Sequence, residues 1–227
     1  SDGYLWLGTP TGLLRFDGST FTPWPVDRSA LLPAGPVHAL VGSPDGSIWV
    51  GYGGGGGVVR IRHGEIVRYS PSDGAPPGVT DMIQDRRGTI WVATRRGLYR
   101  FADDRWTQLG PAEGFDAAEV FSLHEDRAGR LWVATGRGIY QRAADAFELF
   151  DPEPTAVQSV TSDQSGAIWI TDSDEIVARL SRHAPVSHAP DIRLPSAAWR
   201  VIVTPVRIVC ANTQRIALSA ARASYSI

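Results

Sequence analysis

The sequence is poor in cysteine, in long apolar runs and in net charge, and each shortage excludes a class of protein. The single cysteine, Cys210, cannot form an internal disulfide framework. No run of about twenty uncharged apolar residues occurs, so no transmembrane helix is predicted. The formal net charge is -2 with 20% charged residues, which is not the composition of a polyanion-binding protein. Nucleic acid is therefore not expected as a partner.

One sequence motif occurs five times along the chain. Its third copy reads RRGTIWVATRRGLYRF, from Arg86 to Phe101. The copies carry tryptophan at Trp6, Trp49, Trp91, Trp132 and Trp169. These tryptophans follow one another at roughly 40 residues, the period of four-stranded β-propeller blades. Because bulky aromatic side chains dominate buried area, we expect the tryptophans to fill the gaps between blades rather than to bind a ligand.

Each copy, aligned on its tryptophan, predicts four short strands. Apolar stretches opening at Val37, Val79, Val120 and Val157 predict the inner strands. Glycines that tolerate positive φ mark the turns on either side of the tryptophan strand. The fourth strand is marked by Phe21, Ile66, Trp106 or Phe147. Such a meander is apolar on both faces, so copies must stack face to face.

The predicted fold is therefore all-β, a β-propeller repeat of four-stranded antiparallel blades with about five recognisable copies. In the second copy, strands are expected at residues 37–41, 47–51, 58–61 and 66–69. Residues 1–182 are assigned to the repeats, as a partial blade at 1–26 and blades at 37–70, 79–109, 120–150 and 157–182. Residues 183–227 form a divergent tail without glycine. There RIVCANTQRIALS, from Arg207, is either a decayed sixth repeat or a truncated or shifted coding end.

The two ends of the repeat array depart from the pattern. The first copy lacks its inner strand, and the fourth strand of the fifth copy has decayed. Glu175 also replaces the second-turn glycine of the fifth copy. We expect an incomplete or irregularly closed propeller, as an open arc, a closure using residues 199–204, or self-association through an open blade edge.

The beginning of the chain points to a longer parent. The only methionine is Met82, no signal peptide is present, and the sequence opens in the middle of a repeat. These features predict a fragment or a processed piece.

The pattern D-G-x-[IL]-W-[VL]-[GA]-T-x-x-G-[LI]-x-R-F resembles the two-component regulator propeller repeat, over residues 1 to about 182. That family occurs in the sensor regions of bacterial hybrid histidine kinases and some diguanylate cyclases. The resemblance implies a periplasmic or extracellular location, an oligosaccharide ligand and a downstream signalling domain or protein. No phosphoacceptor helix, nucleotide-binding glycine box or receiver pattern occurs in this chain. Family propellers also carry more blades than the five copies found here.

Sequence patterns for catalysis and for cofactors are missing. The histidines are His38, His63, His124, His183 and His188, and none of their spacings places two imidazoles on one metal. No nucleophile elbow or zinc-ligand cluster occurs, so we expect neither enzyme activity nor a cofactor. The run GYGGGGG from Gly51 lacks the lysine and the following helix of a phosphate loop, and it predicts a lengthened turn.

A ligand site is predicted on one face of the blades. There the turns between second and third strands share a face with the linkers between blades. The candidate ligand-binding residues are Trp24, Tyr52, Arg95, Arg96, Phe115, Arg137, Asp172 and Asp174. Aromatic planes beside guanidinium and carboxylate groups suit a polyhydroxylated or acidic sugar. An ordinary polar loop surface explains the same residues without any ligand.

Three functions remain open. The resemblance and the missing catalytic groups favour a non-catalytic sensor or ligand-binding module that recognises a carbohydrate or other small ligand. A streptogramin-lyase-like propeller enzyme is the alternative, and it needs a histidine and a metal-binding acid converging at the axis. The third function is a protein-docking scaffold.

Overall fold

The computed structural model describes residues 4–25, 32–151, 156–163, 165–171, 176–180, 187–193, 200–203, 208–211 and 216–217. Apart from strands, the described residues contain two short 3-10 helices, Pro71–Asp73 and Pro111–Glu113. The all-β prediction is confirmed. Within this part of the chain, no helix has the length and apolar character needed to cross a membrane.

The chain divides into two compact units, residues 1–123 and 124–227. Three antiparallel sheets lie entirely within the first unit, and in each of them sequential strands are neighbours. The first sheet consists of β1 (Leu5–Thr9), β2 (Gly12–Phe16) and β3 (Phe21–Pro23). The second consists of β4 (Val37–Gly42), β5 (Ile48–Tyr52), β6 (Gly57–Arg62) and β7 (Glu65–Tyr69). The third consists of β8 (Asp81–Gln84), β9 (Ile90–Thr94), β10 (Gly97–Ala102) and β11 (Arg105–Gln108).

The remaining sheets continue the same meander. The fourth consists of β12 (Val120–Glu125), β13 (Leu131–Thr135), β14 (Gly138–Ala143) and β15 (Ala146–Asp151). The fifth consists of β16 (Ser159–Ser162), β17 (Ile168–Thr171), β18 (Ile176–Leu180) and β19 (Ser187–Arg193). The sixth has three strands, β20 (Arg200–Val203), β21 (Ile208–Ala211) and β22 (Ile216–Ala217).

The strands of the second copy agree with the sequence prediction to within one residue at every end. The first sheet also has no inner strand among the described residues, as expected. The fifth copy differs, because β19 pairs with β18 and supplies the fourth strand that the sequence assigned as lost. The boundary that the sequence analysis placed after residue 182, between repeats and tail, therefore falls inside the fifth sheet. It was missed because β19 carries neither the turn glycine nor the aromatic residue that marks the other outer strands.

The tail contains the sixth sheet in the region that RIVCANTQRIALS occupies. Its descent from the same repeat stays a prediction. Trp199 and Thr204, at the two ends of the predicted closure segment, lie outside the described residues, as does Glu175. Closure of the ring also stays a prediction.

A hydrogen bond from the tryptophan to an aspartate six residues earlier recurs in three copies. The indole Nε1 of Trp91 donates to Asp85 Oδ2 at 2.8 Å. The equivalent bonds join Trp132 to Asp126 and Trp169 to Asp163. Asp85 Oδ1 accepts the backbone N–H groups of Arg87 and Thr89, both at 2.9 Å. One carboxylate thus fixes the hairpin turn and the indole together.

Tryptophan side chains also fill the space between blades. Trp91 and Trp132 are 1% and 2% exposed. Trp49 of the second sheet lies against Phe101 and Trp106 of the third, with ring centroids 5.1 and 6.4 Å apart. Aromatic pairs at such distances add to the stabilisation that comes from burial. This confirms the packing role predicted for Trp49, and Trp132 likewise packs with Val160 and Ile168 of the fifth sheet.

The valines twelve residues before the tryptophans connect neighbouring blades. Val79 and Val157 lie before β8 and β16 rather than inside these strands, which corrects the prediction that they open the inner strands. The N–H of Val79 donates to the carbonyl of Tyr52 in the preceding sheet at 2.9 Å. A Cβ added to Gly51 would lie 2.6 Å from Val79 Cγ1. The valine therefore requires a small residue on the preceding blade.

Replacing Trp91 by alanine should lower the free energy of unfolding by about 3–5 kcal/mol, because it empties a buried site and removes the partner of Asp85. Urea denaturation followed by circular dichroism measures the change. Phe21→Ala is the control, since this aromatic side chain is 53% exposed and its loss should cost far less. A Trp91→Ala protein as stable as its parent would refute the packing account.

Replacing Gly51 by alanine should destabilise the protein by about 1–3 kcal/mol, because the new methyl group overlaps Val79. Thermal unfolding of Gly51→Ala and Gly42→Ala provides the comparison. Gly42 has no atom within 4 Å of an added Cβ, so that variant should melt at or above the parent temperature. Equal melting temperatures for the two variants would show that blades do not approach closely at Gly51.

Stability should fall between about pH 5 and pH 2 as the turn aspartates are protonated. Burial alone would raise the pKa of Asp163, but hydrogen bonds from Ser165, the Trp169 indole and Ala167 lower it to about 2. Because this folded-state pKa lies below the usual 3.8, the stabilisation is present above pH 3.8 and is lost as the pH falls towards 2. The urea concentration at the midpoint of unfolding is measured across this pH range. It should decline less steeply with falling pH for Asp163→Asn than for the parent protein. Asp145→Asn, which alters a carboxylate that is 91% exposed, should keep the parent's slope.

Candidate functional site

The turns between the second and third strands of a blade share a threonine-based design. Thr94 Oγ1 donates to the carbonyl of Gly97 at 2.8 Å and accepts the N–H of Arg96 at 2.9 Å. Thr135 makes the same pair of bonds with Gly138 and Arg137. Because the threonine hydroxyl closes the turn through backbone groups alone, the side chains between threonine and glycine are free to differ. Those side chains are arginines in the third copy, and both are exposed.

Arg96 lies where its turn meets the linker that follows β11. The Nε2 of Gln108 donates to the Arg96 carbonyl at 2.8 Å and joins the end of β11 to the turn. The linker then forms the 3-10 helix Pro111–Glu113, and the N–H of Phe115 donates to the Gly110 carbonyl at 3.0 Å. Together these segments line a shallow depression of about 490 Å³, which we call the Arg96 depression. Its lining residues are Arg96, Gln108, Leu109, Gly110, Pro111, Phe115, Asp116, Ala117 and Ala118.

The electrostatics of this surface are mixed. Burial raises the pKa of the Tyr99 hydroxyl, and the positive charge of Arg96 partly opposes that rise. Arg95 has a side chain that is 66% exposed and makes an open ion pair with Glu119 at 3.4 Å. Its guanidinium also lies 5.7 Å from the Phe121 ring centroid. Guanidinium and carboxamide donors around an open depression can bind hydroxyl or carboxylate oxygens.

Three aromatic residues of the predicted site lie elsewhere or are inaccessible. Tyr52 is 0% exposed, and burial raises the pKa of its hydroxyl to about 12 against the positive charge of Arg68. Phe115 is 1% exposed and forms the floor of the Arg96 depression without presenting a free ring face. Trp24 is half-buried and packs edge to face on Trp6 at 5.1 Å. None of the three offers a stacking face in the Arg96 depression.

The glycine run explains the burial of Tyr52. Gly53 donates its N–H to the Pro36 carbonyl at 2.9 Å, and Gly56 donates to Gly53 at 3.1 Å. A Cβ on Gly56 would lie 2.5 Å from the Cβ of Tyr52. The turn therefore folds directly over the tyrosine ring, which a turn with side chains would not permit. The predicted lengthened turn is confirmed.

The three remaining predicted site residues are not among those that line the Arg96 depression. Arg137 occupies the equivalent turn position in the second unit, and its N–H donates to Thr135 Oγ1 at 3.1 Å. Asp172 and Asp174 lie outside the described residues. Sequence reasoning overlooked Gln108 and Asp116, which line the depression, because neither follows the repeat.

Two histidines of the described part, His38 and His124, have structural partners. His38 Nδ1 lies 2.9 Å from the carbonyl of Val79, and His124 Nε2 lies 2.7 Å from Ser162 Oγ. Among the described residues, no group of three histidine, cysteine, aspartate or glutamate side chains is placed to hold a metal ion.

Comparison with known proteins identifies the repeat. The family model described as "Two component regulator propeller" matches residues 74–96 and 114–137. Each matched stretch ends at the arginine of a threonine turn, Arg96 or Arg137. No curated protein matches the chain.

Solved structures show the fold. The extracellular domain of a B. thetaiotaomicron protein named as hybrid two-component system BT3049 is 23% identical with a TM-score of 0.65, over 75% of this chain and 25% of its own. That of the one-component system BT4673 of the same organism is 18% identical with a TM-score of 0.74, over 95% and 31%. Virginiamycin B lyase from Staphylococcus aureus is 17% identical with a TM-score of 0.70, over 94% and 75%. This chain thus spans a quarter to a third of the two extracellular domains.

Proposed function

We propose that this chain, which contains two-component regulator propeller repeats, is a non-catalytic sensor module that binds a carbohydrate at its loop face. The observation that carries the proposal is the Arg96 depression, where an exposed arginine, a carboxamide and a carboxylate surround an open surface. Sugars present many hydroxyls in a fixed geometry, and such mixed donors and acceptors match them. We place the ligand at Arg96, Gln108 and Asp116, with Arg95 at the rim.

Differences among the turns support a ligand at this end of the blades. The copies read TPTG, YGGGGG, TRRG, TGRG and TDSDE at equivalent places. The hairpin turns at the opposite end of the tryptophan strand instead repeat one carboxylate arrangement. A single asymmetric ligand requires differing side chains, whereas a purely structural turn does not. Arg137, Asp172 and Asp174 belong to the second unit, and we propose them as ligand contacts of that unit.

The wider role follows from the repeat and its neighbours. Two similar structures are extracellular domains of proteins named as one-component or hybrid two-component systems. We therefore place this module on the periplasmic or extracellular side, coupled to a downstream signalling domain or protein. We also propose that the module self-associates through an open blade edge.

A lyase-like enzyme is the second candidate, since virginiamycin B lyase matches 94% of this chain in structure. That function needs a histidine and a metal-binding acid in one place. Thermal shift with divalent metal ions separates the two candidates, because only a bound ion stabilises the folded state by mass action. A sensor should respond to glycans and not to metal alone.

The proposal is tested with an Arg96→Ala variant. Isothermal titration calorimetry against a panel of neutral and acidic oligosaccharides should yield a binding glycan for the parent protein. Its affinity should fall at least about tenfold in Arg96→Ala, because a charge-assisted hydrogen bond contributes roughly 1.4 kcal/mol or more. The melting temperature should not change, since the Arg96 side chain is exposed.

Arg87→Ala is the matched control, because Arg87 is an exposed arginine on the hairpin turn at the other end of β9. This variant should bind the glycan as the parent does. Equal affinity in Arg96→Ala and the parent would move the site away from the depression. A panel without any binding glycan would instead favour the protein-docking scaffold.

A further inference from the structure

A second cavity lies between the first and second sheets, beside the hairpin turn that joins β4 to β5. Its volume is about 810 Å³, within the range of small-molecule sites. Trp6 and Trp24 form one wall, and the hairpin turn between β4 and β5 forms another with Ser43. The two indoles are half-buried and packed edge to face, so each leaves ring surface towards the cavity.

The cavity exists because the second sheet carries smaller side chains than the third. Paired strands place Ile61 opposite Ile66 in the second sheet and Phe101 opposite Trp106 in the third. Phe101 and Trp106 fill the space beside Trp49 with aromatic rings. Ile61 leaves the corresponding space beside Trp6 open. The Ile61 side chain is one of those that line the cavity. The first interblade gap is therefore less completely filled than the second.

Polar groups of this cavity also depart from the repeat. Ser43 stands where later copies have the aspartate that binds the tryptophan, although its turn keeps the same backbone bonds. Its Oγ is buried and has no hydrogen-bond partner among the described residues. Arg15 pairs across the strands with Trp6, as Arg60 does with Trp49. Arg60 is neutralised by Asp45 at 2.9 Å, whereas the Nε of Arg15 is buried without a partner among the described residues.

The charge of the lining is positive. Arg15 is accompanied by His63, whose Nε2 lies 3.9 Å from the position of a Cβ on Gly46. No aspartate or glutamate is among the residues that line the cavity. The guanidinium carbon of Arg15 lies 4.1 Å above the Tyr4 ring centroid, which holds the cation at the cavity edge. Aromatic walls beside an arginine match a ring that carries a carboxylate.

We propose that this cavity binds a ring-bearing carboxylate, with the ring against Trp6 and Trp24 and the carboxylate on Arg15. The ring can belong to an acidic sugar or to an aromatic acid, since both offer a face for the indoles and an anion for the guanidinium. This site is separate from the Arg96 depression, because the two have no lining residue in common.

Titration with digalacturonate and with phenylacetate tests the proposal, with galactose as the uncharged probe. The indole N–H resonances of the protein are followed by NMR, with assignment by Trp6→Phe and Trp24→Phe. At least one of the two carboxylates should shift the Trp6 and Trp24 resonances in a saturable manner, and galactose should not. The responding probe identifies the ring as a sugar or an aromatic ring.

Two variants locate the site. Arg15→Met should weaken binding at least tenfold by removing the cation. Ile61→Phe should do the same by filling the cavity with the side chain that the third sheet uses, and it should not lower the melting temperature. Arg60→Met is the matched control, because it removes the equivalent arginine of the second sheet and should leave the affinity unchanged. Arg96→Ala should also leave it unchanged, which separates this site from the loop-face site.

Asp2 stands four residues before Trp6, as Asp45 stands before Trp49, and lies outside the described residues. The titration is therefore repeated in Asp2→Asn, where a carboxylate at that position cannot compete for Arg15. No saturable shift by either carboxylate in both backgrounds would overturn the proposal. Binding that survives both Arg15→Met and Ile61→Phe would also overturn it.

Discussion

The bond between a tryptophan indole and a turn aspartate is the constraint on which the rest of this structure depends. In the third copy, Asp85 accepts the indole N–H of Trp91 through one oxygen and two turn amides through the other. Such a carboxylate has most of its acceptor sites satisfied, so its burial carries little penalty. The same carboxylate thereby fixes the position of the buried indole. Local turn geometry and long-range packing are set by the same side chain.

Because of this arrangement, the turns at the two ends of the strands differ in how well they tolerate substitution. The hairpin end holds the aspartate, and a change there disturbs both turn and core. At the other end, Thr94 closes its turn through the backbone, so the side chains of Arg95 and Arg96 carry no structural burden. Function can therefore vary at the threonine turns without cost to the blades. The second copy shows the limit of this freedom, because its glycine run covers Tyr52 and presents no side chains.

The sequence predicted most of the fold because the repeat is a local signal. Strand periodicity and turn glycines are written within one copy, and Gly88 and Gly97 do have the positive φ values expected. What it did not predict depends on neighbouring blades or on non-repeating residues. The spacing of Asp85 from Trp91 was visible in three copies, but only the structure showed a bond. β19 carries no marker residue, and it was missed for that reason.

The candidate site was less predictable than the fold, for a physical reason. Sequence alignment indicates which residues share a turn, but it does not say whether a ring faces solvent or the core. Tyr52 and Phe115 are aromatic loop residues that the structure buries. Arg96 stayed exposed because a guanidinium is rarely buried without a partner. The cavity beside Trp6 arises from the absence of bulk at Ile61, which only a comparison between sheets reveals.

The measurement that tests the central claim most directly is a double-mutant cycle on Asp85 and Trp91. The free energy of unfolding is measured for the parent, Asp85→Asn, Trp91→Phe and the double variant. If the carboxylate and the indole act as one unit, the two changes should be non-additive, with a coupling energy of about 1–3 kcal/mol. Effects that add within about 0.3 kcal/mol would show that turn and indole are independent, and would contradict the account.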